Sequence, residues 1–188
     1  MMRATLAAVL LTCAPVASRA QEQPLITAVD LRGVQNVDRD VLSNGLVTQP
    51  TKCRQILYAP FCMISKAPVL AERHHLDPVE LRRDVLRIRL FYWRRGYRDT
   101  RVTARTERSG GGVRVIFDIA EEAPTKITQL DVIQEDSALT RQRLTPLIPL
   151  KAGDPLDLIR LDSAALRLRD TLWSEGYPDA RVEVDTSQ

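Results

Sequence analysis

The clearest pattern of apolar and polar positions lies between residues 77 and 96 and predicts a helix. Apolar side chains recur there three and four residues apart, at Leu81, Val85, Ile88 and Tyr92, and Leu86, Leu90 and Trp93 widen the same face. Asp77, Pro78 and Glu80 form a helix start signal. Gly96 supplies the stop, because glycine readily adopts a left-handed backbone after the last turn.

A period of two replaces the helical period after Gly96. Residues 101–106 alternate between polar and small apolar side chains, a Gly-rich break follows at 109–112, and alternation resumes from Val113 to Ile119. Two alternating runs around a glycine-rich break predict a β-hairpin.

A strand and a short helix are predicted ahead of the long helix. Ile26–Leu31 is rich in strand-forming residues and ends at Gly33, and residues 38–46 have the pattern of a short helix. The element order is therefore β-α-α-β-β. We expect an α+β unit in which two helices cover one face of a three-stranded sheet.

The long helix and the hairpin recur about eighty residues later. Leu86–Arg89 returns as Leu166–Arg169, and an aromatic-x-x-Gly-Tyr motif is found at Trp93, Gly96 and Tyr97 and again at Trp173, Gly176 and Tyr177. Such a repeat indicates that the chain contains copies of one small unit. We expect the aromatic side chains of both motifs to pack in the core.

The two copies are not equal in length. The opening strand and first helix recur at Ile127–Val132 and at 137–147, an offset of 101, so the first copy carries about 21 extra residues (101 − 80), near 48–71. Counting eighty back from Gln188 gives Arg108, so no counterpart of the last strand is present. We expect units at 21–122 and 123–188, the second incomplete, in the N-terminal piece of a longer protein (a truncated reading frame or a partial sequence).

Residues 1–20 have the form of a secretory signal peptide. Arg3 provides a basic start, an apolar stretch follows, and Ser18-Arg19-Ala20 fits the cleavage site. An uncleaved anchor and lipidation at Cys13 are the alternatives. The first is disfavoured by a short apolar stretch, and the second by a threonine ahead of the cysteine. Cleavage after Ala20 removes two arginines and lowers the formal charge from +3 to about +1.

Charge is distributed unevenly along the mature chain. Residues Arg82–Arg114 contain eleven arginines and three acids, a net of +8, whereas fourteen acids and eight bases follow from Val115 onward, a net of −6. This is either ordinary variation between solvated faces or an electropositive patch for anionic lipid headgroups or an acidic neighbour. The low net charge and the export signal exclude nucleic acid as the expected partner.

Two cysteines remain in the mature chain, both in the extra segment at about 48–71. In an oxidising compartment, Cys53 and Cys62 are predicted to form a disulfide. The alternative is a metal site that adds His74 and His75, but its spacing matches no familiar zinc arrangement.

No catalytic constellation is recognisable in the sequence. His74 and His75 are the only histidines, and no nucleophile arrangement lies near them. Asp154-Pro155, like Asp77-Pro78, predicts a helix opening rather than a catalytic acid. The glycines at 110–112 lack the Lys-Ser/Thr of a phosphate loop. We therefore predict a binding protein with no catalytic residue, metal or cofactor.

A family resemblance rests on Trp93–Tyr97 through Val102, on Val113–Glu122, and on Trp173–Tyr177 through Val182 with Leu150–Pro155 ahead of the helix. These motifs, in two copies behind a signal peptide, resemble the POTRA domains of BamA- and TamA-type outer-membrane assembly factors. The resemblance covers nearly all of the mature chain, and the cysteine-bearing insertion departs from it.

The resemblance implies a periplasmic segment ahead of an outer-membrane barrel, binding unfolded outer-membrane proteins and assembly partners. In the family, an exposed sheet edge is thought to pair with client strands by β-augmentation. The implied edge is Thr100, Arg101, Val102, Thr103, Ala104, Arg105 and Thr106, and with less support Ala180–Thr186. Arginines on the edge would also discourage aggregation.

Two other functions are compatible with the resemblance. POTRA modules also precede two-partner secretion pores, where they recognise one exported protein. A single module also occurs in cell-division scaffolds that follow an uncleaved anchor. The sequence downstream of residue 188 would separate assembly from secretion, and a mature N-terminus at Gln21 would remove the division scaffold.

Overall fold

The computed structural model describes residues 23–53, 71–135 and 138–186. The helices and strands in chain order are β1 (Ile26–Arg32), α1 (Arg39–Asn44), β2 (Lys52–Cys53), β3 (Ala71–Glu72), α2 (Pro78–Arg94), β4 (Arg101–Ser109), β5 (Gly112–Ala120), α3 (Arg141–Leu144) and α4 (Leu158–Ser174). The first unit therefore has the predicted β-α-α-β-β order. A two-stranded β2–β3 pair is inserted between its helices.

The main sheet has three strands in the order β1-β5-β4, so that β5 is central. β5 runs parallel to β1 and antiparallel to β4. The hairpin between β4 and β5 turns at Gly110 and Gly111, whose φ angles are +53° and +81°. Positive φ angles at both central residues are typical of the type I′ turn. The twist of this turn matches the twist of the two strands that it connects. This confirms the predicted α+β architecture of the first unit.

A single hydrophobic core lies between this sheet and its two helices. Val115 and Phe117 of β5 are fully buried, as are Ile88 and Tyr92 of α2, and Leu42 of α1 is 1% exposed. Burying each such side chain contributes about 1.5–3 kcal/mol. The alternating positions of β5 therefore supply one wall of the core, as the period of two predicted.

The long helix α2 begins and ends as predicted but buries a narrower face. Asp77 accepts a hydrogen bond from the Val79 backbone N–H, and Gly96 has a φ of +91° just past the helix end. Leu86, Leu90 and Trp93 were predicted to widen the core face, and this prediction was wrong. Their side chains are 60%, 48% and 42% exposed, because the sheet covers only the face that carries Ile88 and Tyr92.

A buried carboxylate joins α2 to the chain that follows α1. Asp84 is fully buried, and its carboxylate accepts backbone N–H bonds from Val47 at 3.1 Å and Thr48 at 2.7 Å. The guanidinium of Arg87 supplies a third donor. These bonds fix the position at which the extra segment of the first copy begins.

The second unit contains its helices but no strand within its described residues. Lys126 forms an isolated bridge with Pro155, and neither 127–132 nor 180–186 forms a strand. In the first unit β5 pairs with both of its neighbours, so its counterpart would have to pair with both of these segments. No segment of the second unit's described residues forms that counterpart.

The helices of the second unit also differ from the prediction in their limits. The helix expected over 137–147 is limited to α3. The second helix begins after Asp157, whose carboxylate accepts the Ile159 and Arg160 backbone N–H groups, rather than at Asp154-Pro155. Asp157 lies eighty residues after Asp77, so the same residue type caps the same helix in both units. Trp173 and Tyr177 are 58% and 45% exposed, which corrects the expectation that they pack in a core.

Backbone hydrogen bonds at the start of each unit reproduce both repeat offsets. In the first unit, Ile26 donates to His74, Leu25 forms a bridge with His75, and Leu76 donates to Pro24. The matching contacts in the second unit are Ile127 with Asp154, Lys126 with Pro155, and Leu156 with Thr125. In each pair, the residue nearer the N-terminus shifts by 101 positions and the other residue by 80.

The junction between the units passes through the end of α2. The Thr125 backbone N–H donates to the Gly96 carbonyl at 2.8 Å, and the Thr125 carbonyl accepts from Leu156 at 2.8 Å. A Cβ atom at Gly96 would lie 3.0 Å from the Leu156 nitrogen, on a backbone whose φ is already +91°. Glycine is required there both by the backbone angle and by the close approach of the second unit.

Candidate functional site

One edge of the main sheet is open along its whole length. β4 pairs only with β5, and no backbone hydrogen bond joins it to any other described segment. At the opposite edge, the start of β1 is covered, since Ile26 donates to His74 at 2.8 Å and accepts from Thr51 at 2.9 Å. The edge of β4 is nine residues long, about 30 Å at the usual strand rise.

The hydrogen-bond pattern of the hairpin determines which backbone groups of β4 face outward. In a two-residue hairpin, the pair flanking the turn exchanges both of its bonds, and hydrogen-bonded pairs then alternate along the ladder. Ser109 pairs with Gly112, and the Val113 N–H donates away from β4, to Leu25. The N–H and C=O groups directed outward therefore belong to Val102, Ala104, Thr106 and Arg108. Those of Arg101, Thr103, Arg105 and Glu107 bond to β5.

The side chains of β4 are anchored on the two faces of the sheet. Val102 is 9% exposed and packs in the core. On the other face, Arg105 bonds to Asp118 at 2.8 Å and also to Glu107, and Arg101 bonds to Glu122 at 2.6 Å. These hydrogen bonds raise the pKa of both guanidinium groups. The charges are thus held on the outer face, and the backbone edge between them is left accessible.

The structure places most of the predicted edge residues on β4, with one exception. Thr100 lies before the strand, is 4% exposed, and donates its hydroxyl to the Tyr97 carbonyl at 3.1 Å. It therefore closes the turn after α2 rather than lining an edge. The edge also extends to Ser109, beyond the predicted limit at Thr106, and the second predicted edge at 180–186 is not a strand.

The motif residues have separate structural roles. Tyr97 is 9% exposed and packs edge-on against Tyr92, with ring centroids 6.0 Å apart. Gly96 forms the unit junction described above. Trp93 instead lies on the surface, where the Arg98 guanidinium sits 5.3 Å from its ring centroid. Gly176 has a φ of +95° like Gly96, but a Cβ atom added there would meet no other atom within 4 Å.

The sequence patterns gave no signal for the role of Glu121, which follows β5 and joins it to the chain after β1 and to α2. Its carboxylate accepts bonds from the Tyr92 hydroxyl at 2.6 Å, the Gln35 N–H at 2.9 Å, and the Asn36 backbone and side chain at 3.1 and 2.7 Å. Burial alone would raise the pKa of Glu121, but the hydrogen bonds together lower it. Burial, and then the bond to Glu121, raises the pKa of Tyr92 well above its usual value.

We expect Glu121→Gln to lower the free energy of unfolding by about 1–2 kcal/mol at neutral pH, because an amide oxygen replaces a charged acceptor. The pKa of Glu121 is lowered in the folded state, so its stabilising effect is present above the unfolded value of about 4.3 and is lost as the pH falls below it. Urea unfolding at pH 7 and pH 3 measures this. A difference between wild type and variant that persists unchanged at pH 3 would contradict the prediction, and Glu122→Gln, which alters an ion pair with Arg101, is the control.

The cysteine prediction falls partly outside the described residues. Cys53 lies in β2, but Cys62 is outside the described ranges, so the disulfide stays a prediction. His74 lies 3.7 Å from Glu72. Among the described residues, no group of three or more His, Cys, Asp or Glu side chains could hold a metal ion. Within the same ranges, no helix is long and apolar enough to cross a membrane.

Comparison with known families identifies the repeated unit. The family described as POTRA, surface antigen variable number repeat, matches residues 24–122 and 125–188. The chain belongs to the POTRA family. The two matched segments correspond to the two copies that the sequence repeat and the repeated backbone contacts delineate. No curated protein matches the POTRA chain.

Solved structures similar to this POTRA chain include the following. The POTRA3-5 segment of BamA from Haemophilus influenzae is 15% identical, with a TM-score of 0.44, and the match covers 90% of this chain and 62% of that one. The N-terminal domain of Omp85 from Thermosynechococcus elongatus is 18% identical, with a TM-score of 0.42 and coverages of 87% and 57%. CdiB from Escherichia coli is 18% identical, with a TM-score of 0.34 and coverages of 86% and 25%. The POTRA chain thus spans less than two thirds of each of these chains.

Proposed function

We propose that this chain is a periplasmic POTRA segment of an outer-membrane protein assembly factor, and that it binds unfolded outer-membrane proteins through the edge of β4. The proposal rests on one observation, the open nine-residue edge of β4. The opposite edge of the sheet, formed by β1, is partly covered. An added strand would bond to the outward groups of Val102, Ala104, Thr106 and Arg108. Backbone pairing of this kind tolerates many client sequences.

The proposed segment acts by binding and not by catalysis. Export by the signal peptide at 1–20 would place its units, at 21–122 and 123–188, in the periplasm. The other partners would be assembly proteins and an anionic membrane surface. The membrane surface would contact the basic region Arg82–Arg114. Within that region, Arg101, Arg105 and Arg114 form ion pairs with Glu122, Asp118 and Asp30, so these three arginines are less available to an anionic partner than the others.

A proline substitution tests the edge without breaking the sheet. Thr106→Pro removes an outward N–H while leaving the β4–β5 bonds in place, which an edge strand tolerates. We expect it to weaken binding of a urea-unfolded outer-membrane β-barrel protein, diluted into buffer, by about tenfold because the added strand loses backbone pairing. Thr106→Val keeps the N–H and is the matched control. Equal binding by the proline and valine variants would rule out the β4 edge as the binding site.

Hydrogen exchange gives a second readout of the same complex. Client binding should slow exchange of the Ala104 and Thr106 amides and leave those of Thr103 and Arg105 unchanged, since the latter already bond to β5. Similar affinity for strands of two unrelated outer-membrane proteins would support assembly. Binding restricted to one exported protein would support the two-partner secretion alternative instead.

A further inference from the structure

The exposed side of α2 carries an apolar stripe that one arginine interrupts. Val79, Leu86, Leu90 and Trp93 are 44%, 60%, 48% and 42% exposed, and they lie seven, four and three residues apart. In a heptad repeat, these spacings place Val79, Leu86 and Trp93 at d positions and Leu90 at an a position. Arg83 occupies the other a position. We call these five residues the α2 seam. The opposite side of the helix buries Asp84, Ile88 and Tyr92, so the seam is not a part of the core.

Unpaired arginines flank the seam on both sides. Arg82 and Arg89 occupy g positions, and Arg94 occupies an e position. All three are exposed, and none forms an ion pair with a residue of the described ranges. In coiled coils, charges at e and g select the partner helix. The flanks of the α2 seam therefore favour a partner with acidic residues at the matching positions.

Helix α4 is the internal comparison, because it repeats only part of this pattern. Ile159, Leu166 and Trp173 keep the three d positions and are 40%, 50% and 58% exposed. The a positions are Ser163 and Asp170, which interrupt the apolar stripe.

The arginines of α4 are also engaged within the protein. Arg160 donates to the Pro149 carbonyl at 2.6 Å, Arg167 donates to the Leu147 carbonyl at 3.4 Å, and Arg169 bonds to Asp170 at 3.2 Å. Among the two long helices, only α2 therefore combines three consecutive apolar a and d positions, Leu86, Leu90 and Trp93, with flanking arginines that form no ion pair in the described ranges.

We propose that the α2 seam binds an amphipathic helix of another protein, with apolar residues at its a and d positions and Glu or Asp at e and g. A second copy of α2 is disfavoured as the partner, because four of its five e and g positions are arginines, which would face arginines, and Glu80 is the one acid among them. Two apolar positions in every seven residues are typical of a seam between two helices. The apolar face of a helix that lies in a membrane surface is wider. From Val79 to Trp93 the seam is about 21 Å long, enough for nearly four turns of a partner helix.

The proposal is independent of client binding at β4, since the α2 seam and the β4 edge share no residue. The probe is a synthetic helix of about three heptads with Leu at a and d and Glu at e and g, whose own acidic flanks oppose self-pairing. Binding is measured by calorimetry, and by Trp93 fluorescence in a Trp173→Phe background. A second peptide with Lys in place of Glu tests the charge requirement, and phosphatidylglycerol vesicles test a membrane surface.

We expect the acidic peptide to bind and the lysine peptide to bind at least about tenfold more weakly, with affinity falling as salt rises. Leu86→Glu should weaken acidic-peptide binding by at least about tenfold, since it places a like charge in the apolar seam. Leu166→Glu, at the matching position of α4, should leave it unchanged. Both leucines are exposed, and circular dichroism checks that each variant folds.

Three results would overturn the proposal. The first is equal binding of the acidic and lysine peptides. The second is equal loss of binding in the two leucine variants. The third is binding to the vesicles without binding to the acidic peptide, which would assign α2 to an anionic membrane surface instead.

Discussion

Replacing Asp84 with alanine is expected to lower the free energy of unfolding of the first unit by about 3–5 kcal/mol. The carboxylate is fully buried and accepts the Val47 and Thr48 N–H groups as well as the Arg87 guanidinium. Alanine would leave these donors without their acceptor in a site that water does not reach.

Urea unfolding followed by circular dichroism measures the change, and hydrogen exchange at Val47 and Thr48 locates it. Asp162→Ala is the control, because that carboxylate lies on the exposed surface of α4 and its loss should cost less than about 0.5 kcal/mol. A loss below about 1 kcal/mol in Asp84→Ala would show that the buried bonds stabilise the unit little. The counterpart of Asp84 in the second unit is Ala164, so this anchor belongs to the copy that carries the extra segment.

The second large effect is expected from Gly33→Ala at the end of β1. The φ of Gly33 is +83°, and a Cβ atom there would lie 2.0 Å from the backbone oxygen of Ile119. A left-handed backbone costs a non-glycine residue about 1–2 kcal/mol, and displacing β5 adds about 1–3 kcal/mol. We expect a total loss of about 3 kcal/mol, measured by urea unfolding.

Gly111→Ala separates the two contributions. Gly111 has a similar φ of +81°, but nothing lies within 4 Å of the position of its Cβ. It should therefore show the cost of the backbone angle alone, about 1–2 kcal/mol. If Gly33→Ala cost no more than Gly111→Ala, the close contact between Gly33 and Ile119 would have no energetic consequence.

The local elements of the first unit could be read from the sequence because their signals are local. The alternation in β5, the Gly-rich turn, the Asp77-Pro78 start and the Gly96 stop each act over a few residues, and the structure contains all of them. The eighty-residue repeat likewise located the second long helix, although Asp157 and not Asp154 caps it.

The face of α2 that meets the sheet could not be predicted from the sequence. Two apolar stripes run along this helix, one with Ile88 and Tyr92 and the other with Leu86, Leu90 and Trp93. Periodicity reports that a stripe exists but not which one meets the sheet. Only the packing of α2 against the sheet shows that the first stripe enters the core and that the second forms an exposed seam.

The sequence by itself determined the repeating unit, its element order and the glycines at its turns, because these depend on residues close together in the chain. The tertiary structure decided what depends on distant partners. It made β4 the open edge by placing β5 in the centre, and it gathered Tyr92, Gln35 and Asn36 around Glu121. It also left 127–132 and 180–186 without strand structure. A strand forms only when a neighbouring strand satisfies its backbone groups, and no local pattern supplies that neighbour.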